Sequence, residues 1–398
     1  MIKSEKILTV NGRDFSSKNP LIIAELGTSH NGDMTKAKEM IDAAGQAGAY
    51  CVKFQMVYTD EILHPNTGEV PLPGGKIRLY DRFKALELES EFYQNIKEYS
   101  ESKGLLFLCT PFGLKSASIL QGMHPKLIKI ASPELNFTGL LEEIARWGLP
   151  VLLSSGVSRL SDIETAIDLL KKEFSQRRIE PSVRGAEDAK ERKGEEIQPS
   201  SSICLLHCVT AYPAPETDYN LRVLASLSSV FGVPVGVSDH SLDPQLVPAL
   251  AVGLGAVAIE KHFCLSRSDP GLDDPIALEP DDFSKMVKSI QQAAKDGYEK
   301  TVERYSKQNG AELVRRILGN GVKELAPSEK ENYTRTNRSI HALRDIKAGE
   351  ILKKSDYAVL RTEKILRPGL EPCYENMIEG RTAKNFIPAG EGIRFEDI

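Results

Sequence analysis

The sequence predicts an α/β protein: a (β/α)8 TIM barrel over residues 1–300, a linker over 301–335 and a small module over 336–398. Three observations carry that expectation. Short apolar runs alternate eight times with segments of helical spacing. The runs are continuously apolar rather than alternating, as strands covered on both faces are, which implies a parallel sheet. Almost every run ends in a polar or ionisable side chain, where barrel enzymes gather their chemistry. Eight strand–helix units fit a closed barrel; a doubly wound open sheet is the alternative that periodicity leaves.

The elements follow in order. The opening "MIKSEKILTVNGRDF" holds Asn11-Gly12, the mark of a hairpin with a type I′ turn, and no apolar core of a signal peptide. The first four strand runs are "LIIAELG" (21–27), "CVKFQMV" (51–57), "LLFLCTPF" (105–112) and "LIKIAS" (127–132). "PVLLSSG" (150–156), "ICLLHCVTAY" (203–212), "PVGVSDH" (234–240) and "AVAIEKHF" (256–263) complete the eight. Between them, stretches such as "TKAKEMIDAAGQAGA" (35–49) and "SEFYQNIKEYSESKG" (90–104) keep a spacing near 3.6. Residues 171–200 hold 15 charged residues out of 30, so they read as an exposed, mobile insertion between the fifth helix and the sixth strand. Near the end, "IKAGEILKKSDY" (346–357) and "IPAGEGIRFEDI" (387–398) match at Ile, Ala, Gly, Glu and Asp, 41 residues apart. That echo implies a compact domain of about 60 residues with two related turn units.

Composition excludes several function classes. With 41% hydrophobic and 27% charged residues, the chain is an ordinary globular enzyme in makeup. A net charge of −5 argues against nucleic-acid or anionic-membrane partners. No apolar run approaches the roughly 20 residues that span a bilayer. Of the six cysteines, Cys51, Cys109, Cys204, Cys208 and Cys264 fall in or beside apolar runs, Cys373 does not, and none forms a CxxC pair. They read as free thiols of a reducing cytosol, hence a cytoplasmic protein.

"LIIAELGTSHNGD" (21–33) poses the functional question, because Glu25 sits inside an otherwise apolar strand. A buried carboxylate costs several kcal/mol unless it is paired or has chemistry to do. Its counterparts at the other strand ends are Lys53, Gln55, Thr110, Lys129, Ser132, Glu134, Ser154, Tyr212, Ser238, Asp239, His240, Glu260 and His262. His240 and His262 close adjacent strands about 4.8 Å apart, near enough to share one ion; two hydrogen-bonded rim histidines without metal are the plain alternative. Lys53 and Lys129, with the nearby hydroxyls, suit a small phosphorylated or carboxylated ligand. A Schiff-base lysine and a salt bridge to Glu25 or Glu134 are the rival readings. Among Glu25, Glu134, Asp239, Glu260 and Asp273, some pair is available for acid–base work, and others neutralise the lysines or orient the histidines.

Taken together, "IAELGTSHNGD", "GAYCVKFQ", "CTPF", "IKIASPE", "LHCVTAYPAP", "VGVSDHSLD", "IEKHF" and "RPGL" resemble the sialic acid (N-acetylneuraminate) synthase family nearly end to end. "RSIHALRDIKAGEIL" resembles that family's antifreeze-like SAF domain, a β-clip module. The resemblance implies condensation of phosphoenolpyruvate with an N-acylated hexosamine, either N-acetylmannosamine or a diacetamido-trideoxyhexose. The products are a nine-carbon 2-keto-3-deoxy acid and phosphate. It makes His240 and His262 the ligands of a divalent metal, manganese first, with magnesium or cobalt as alternatives. Lys53, Thr110, Lys129, Ser132, Ser154 and Ser238 match the phosphoenolpyruvate site. Glu25, Glu134 and Asp273 match catalytic positions, and Gln55, Tyr212, Asp273 and Arg338 match positions near the sugar. Arg338, in "TNRSI", matches an arginine given to the partner subunit's site, which implies a domain-swapped homodimer. Departures fall at Thr210, at Gly74-Gly75-Lys76 and at Asp274 and Ala277, all assigned to the sugar side. The acceptor is therefore open among sialic, legionaminic and pseudaminic precursors. A related synthase acting on phosphorylated sugars and a catalytically silent sugar-binding protein are the alternative functions.

Overall fold

The computed structural model describes residues 6–72, 75–176, 202–363 and 365–398. Eight parallel strands form one sheet: Leu21–Gly27, Cys51–Met56, Leu106–Pro111, Ile128–Ile130, Val151–Ser154, Ile203–Cys208, Val235–Asp239 and Ala258–His262. Numbered first to eighth along the chain, each pairs with the next except the third, which packs beside the fourth without a ladder, and the eighth pairs with the first. The sheet thus curls into a barrel with its helices outside. Met34–Gln46 shows why the helices sit there. Asp33 caps it by accepting the N–H groups of Thr35 at 2.7 Å and Lys36 at 3.1 Å, and Ala37, Met40, Ile41 and Ala44 form its buried stripe.

Strand parity builds the interior. Side chains two apart along a strand share a face, so each strand sends one residue into the lower barrel and the next but one into the mouth. Ile23, Cys51, Leu108, Leu127, Leu152, Leu206 and Ala258 belong to one apolar cluster. The residues two positions on are Glu25, Lys53, Thr110, Lys129, Ser154, Cys208 and Glu260. An apolar floor thereby carries a polar layer. In the seventh strand the floor position is Gly236, where a Cβ would meet Ala258 O at 2.4 Å, so no side chain fits. The hairpin Leu8–Val10 and Arg13–Phe15 closes the opposite end with Leu8, Val10 and Phe15. Its turn has φ of 50° at Asn11 and 72° at Gly12, the two positive values a type I′ turn requires.

The stretch expected as a linker from 301 begins as helix instead. Pro280–Asn309 runs on into Ala311–Leu318, which buries Val314, Ile317 and Leu318 at helical spacing. Residues 319–337 then cross the barrel mouth to the C-terminal module. There Arg338–Ala342 pairs antiparallel with Tyr357–Arg361, and the two echoed turn units bridge each other at Ile346 and Ile387. Of the charged stretch 171–200, residues 171–176 complete the helix Leu160–Gln176 and the rest lies outside the described residues, as do Pro73 and Gly74. All six thiols are free, with Cys373 alone exposed. Among the described residues no helix is long and apolar enough to cross a membrane.

Three buried histidines set the acid limit of this fold. Burial lowers His30 and His341 to about 4 and His207 to about 3. The unfolded chain, with histidines near 6.5, binds more protons between those values, so stability rises with pH across that window. His30 and His341 are each expected to cost on the order of 3 kcal/mol by pH 4. Melting temperature should fall from pH 6.5 to 5.2, before most carboxylates titrate; a flat profile there would contradict this.

Candidate active site

The polar layer answers why Glu25 is buried. Glu25 Oε2 lies 2.9 Å from Lys53 Nζ, and Oε1 accepts Gln55 Nε2–H at 2.7 Å. Lys53 Nζ also lies 3.2 Å from Glu260 Oε1, which is 3.4 Å from Lys129 Nζ and accepts Ser238 Oγ–H at 2.9 Å. Two carboxylates and two ammonium groups, all buried, form one neutral chain across the first, second, fourth and eighth strands. Burial opposes the charge on Lys53, yet Glu25 and Glu260 outweigh it and raise its pKa. Burial opposes Glu260 as well, but Lys129 and Lys53 bring it down to about 2. Burial pushes Lys129 down and Glu25 up. Facing two carboxylates, Lys53 keeps its proton.

Glu25 sits in register opposite Lys53, and just beyond it the register slips so that Gly27 rather than Leu26 pairs with Phe54. Gly27 has φ of 53°, and a Cβ there would sit 3.3 Å from both Gln55 Nε2 and Glu25 Oε1. Glycine suits this positive φ, and any side chain would press on both polar ends.

Around the lysines lie hydroxyls without partners. Thr110 Oγ1, Ser154 Oγ and Thr210 Oγ1 are buried and unbonded among the described residues, as are Glu260 Oε2 and Glu134 Oε2. Leaving such a group unpaired costs about 1–3 kcal/mol, so a cluster of them beside two ammonium groups marks a ligand site. Ser132 Oγ accepts the Gly156 N–H at 2.9 Å. A Cβ on Gly156 would lie 2.1 Å from Thr210 Oγ1, so the loops after the fifth and sixth strands close on each other only through a glycine.

His240 and His262 stand side by side, ring centroids 5.4 Å apart. Tyr212, half exposed at the mouth, stacks on His240 at 4.4 Å and meets His262 edge-on at 6.1 Å. His240 Nδ1 lies 2.9 Å from Val209 O, and Cys208 Sγ lies 3.8 Å from Nδ1 and 4.0 Å from Nε2; burial opposes the imidazolium, but the Cys208 sulfur outweighs it and raises this pKa. Burial, with His240 and Lys53 close by, holds His262 well below its ordinary pKa, in the neutral form a metal needs. Asp273 Oδ2 lies 3.8 Å from His262 Nδ1, and burial raises this carboxyl to about 6. Among the described residues no three His, Cys, Asp or Glu side chains converge on one point. Two neutral imidazoles 5.4 Å apart could hold a cation whose remaining positions go to water and substrate oxygens.

Glu134 and Arg338 are placed differently from expectation. Glu134 Oε1 accepts from Arg338 NH2 at 2.9 Å and from Arg361 NH2 at 2.8 Å, and both arginines come from the C-terminal module. Arg338 and Arg361 lie directly opposite on their two strands, a repulsive pairing that the shared carboxylate offsets. Sequence reasoning sends Arg338 to a partner's site; here it reaches Glu134 of its own chain, with its other N–H groups on the carbonyls of Glu61 and Phe112. Glu134 thus meets two guanidinium groups brought by the C-terminal module. Asp274, assigned to the sugar side, is buried and braces its loop by accepting the Gly271 N–H at 2.7 Å. Sequence reasoning gave Glu260 no role of its own and missed Arg361. Parity with Ser238 and His262 signals Glu260, but nothing near Arg361 in sequence points to Glu134.

Comparison with known proteins agrees with this architecture. A model of the NeuB family matches residues 40–300, and one of the SAF domain matches 337–398. The chain is 31% identical to the N,N'-diacetyllegionaminic acid synthase of Legionella pneumophila, over 96% of each chain. The crystal structure of the spore coat polysaccharide biosynthesis protein SpsE from Bacillus subtilis superposes with a TM-score of 0.76 at 30% identity, covering 98% of this chain and 99% of that one. The N-acetylneuraminic acid synthetase of Leptospira borgpetersenii gives 0.61 at 31% identity over 82% of this chain and 95% of its own. The chain therefore belongs to the NeuB family and ends in a SAF domain.

Proposed function

We propose that the barrel mouth condenses phosphoenolpyruvate with an N-acyl hexosamine to give a nine-carbon 2-keto-3-deoxy acid and phosphate. The observation that carries this reading is the Lys53–Lys129 pair set among unbonded Thr110 and Ser154 hydroxyls, with two histidines beside it. Phosphate and carboxylate of the donor take the ammonium groups over from Glu260, with Ser132, Ser154, Ser238 and Thr110 completing the hydrogen bonds. A protonated Lys53 bound to two carboxylates is no Schiff-base nucleophile. A divalent cation on His240 and His262, manganese by the mixed nitrogen and oxygen donor set, would supply electrophilic polarisation of the acceptor carbonyl.

C3 of the donor forms the new bond to the acceptor aldehyde carbon, whose oxygen takes a proton; Asp273, beside His262, is placed to deliver it. Positive charge at C2 is met by Glu25, which positions water for attack and accepts its proton. The tetrahedral intermediate then breaks the C2–O bond to phosphate, its new hydroxyl becoming the 2-keto group and passing its proton to the departing phosphate. Gln55 fixes the Glu25 carboxylate, and the Tyr212 ring offers the sugar an apolar face.

Phosphate release with manganese and a panel of N-acyl hexosamines, followed by product mass, tests the reading and names the acceptor. The panel includes a phosphorylated hexosamine, because two guanidinium groups share the Glu134 carboxylate. No release with any acceptor would favour a silent sugar-binding protein. Arg338→Ala should raise the acceptor KM by at least tenfold while changing donor KM little; equal effects on both would refute an acceptor-side role.

We also propose a homodimer in which the SAF domain exchanges between subunits, so that the Arg338–Glu134 contact forms across two chains. Mixing Arg338→Ala chains with Lys53→Met chains restores activity if the domain is exchanged. No recovery means that Arg338 serves its own chain.

A further inference from the structure

The segment joining barrel to SAF domain does more than connect. Glu329, at the end of the short turn Pro327–Glu329, is buried although sequence marks it only as one acid in a polar stretch. Its Oε1 accepts the N–H of Val157 at 2.7 Å and of Thr210 at 2.8 Å, while Oε2 accepts that of Ala326 at 3.1 Å. The matching carbonyls are held from the same segment: Asn337 Nδ2–H donates to Val157 O at 3.1 Å and Asn332 Nδ2–H to Thr210 O at 3.2 Å. Both backbone groups of two residues on different barrel loops are thus fastened by one stretch of chain.

Those two residues flank the donor end of the mouth. Val157 follows Ser154 and Gly156 and has φ of 44°, a strained value for a β-branched residue that persists only where surroundings hold it. Thr210 follows Val209, whose carbonyl orients His240, and its Oγ1 faces Gly156. A shift of either loop would move the Gly156 amide off Ser132 Oγ and the Val209 carbonyl off His240.

We infer that Glu329 is a positioning residue for the donor end of the site, holding the loops after the fifth and sixth strands in their mutual register. This rests on the reading of the mouth as a phosphoenolpyruvate site. Because a carboxylate bonded to buried amides contributes more than a neutral acceptor, Glu329→Ala should weaken phosphoenolpyruvate binding, titrated calorimetrically into the full chain, by roughly tenfold or more. Glu329→Gln keeps an acceptor for Val157 and Thr210 but sets its NH2 against the Ala326 N–H, so it should lose less affinity than Glu329→Ala. Recovery of donor affinity in Glu329→Gln relative to Glu329→Ala, with both variants folded by circular dichroism, is a split that general destabilisation does not produce. Hydrogen exchange supplies a readout independent of substrate: peptides spanning 154–158 and 208–212 should both lose protection in Glu329→Ala.

Unchanged donor affinity in Glu329→Ala overturns the inference, as does protection lost only within 326–337. If the parent itself bound no phosphoenolpyruvate, the proposed function would fall, and exchange at the two loops would still decide whether Glu329 positions them.

Discussion

Replacing Lys53 with methionine is expected to lower kcat/KM for phosphoenolpyruvate by about 10³-fold, since truncating one member of a buried, hydrogen-bonded charge pair costs about 2–5 kcal/mol and the substrate loses an anion contact as well. The same change leaves Glu260 with Lys129 and Glu25 without an ion-pair partner among the described residues. It should therefore destabilise the fold by about 3–5 kcal/mol at neutral pH. The sign of its pH dependence separates the two effects. Unpaired buried carboxylates have folded pKa values above their unfolded ones, so the folded variant binds more protons and regains stability as pH falls. A smaller melting deficit at pH 5.5 than at pH 8, with kcat/KM still depressed about 10³-fold at both, is the expected pattern. Wild-type donor kinetics in this variant would remove Lys53 from the site.

His262→Ala is expected to weaken manganese binding by more than about 100-fold, because changes one shell further out already cost 10–100-fold. His240→Ala should do the same and also release Tyr212, which stacks on that ring. Chelation should abolish activity in the parent, and added manganese should restore it. Manganese affinity read by electron paramagnetic resonance checks the two variants directly. Parent-like affinity in either would make these rim histidines rather than ligands.

Much of this was legible before any coordinates. Eight continuous apolar runs implied strands covered on both faces, and the polar residue closing almost every run implied a polar barrel mouth. What stayed hidden depends on contacts far apart in sequence. Glu25 reads as a lone buried acid until the register sets Lys53 beside it. Glu260 gains its place only when the eighth strand lies within reach of both lysines. Arg361 and Glu329 act on partners more than 100 residues away, and periodicity carries no information about such pairings. The linker expected from 301 failed locally: Val314, Ile317 and Leu318 already show the helical stripe within a polar background.

The most direct test of the central claim, that this mouth cleaves the C–O bond of phosphoenolpyruvate while building a carbon–carbon bond, follows a label. With donor carrying oxygen-18 in the bridge position, manganese and the productive acceptor, phosphorus NMR should show the heavy isotope in the released phosphate. Heavy oxygen retained in the keto acid would contradict that account.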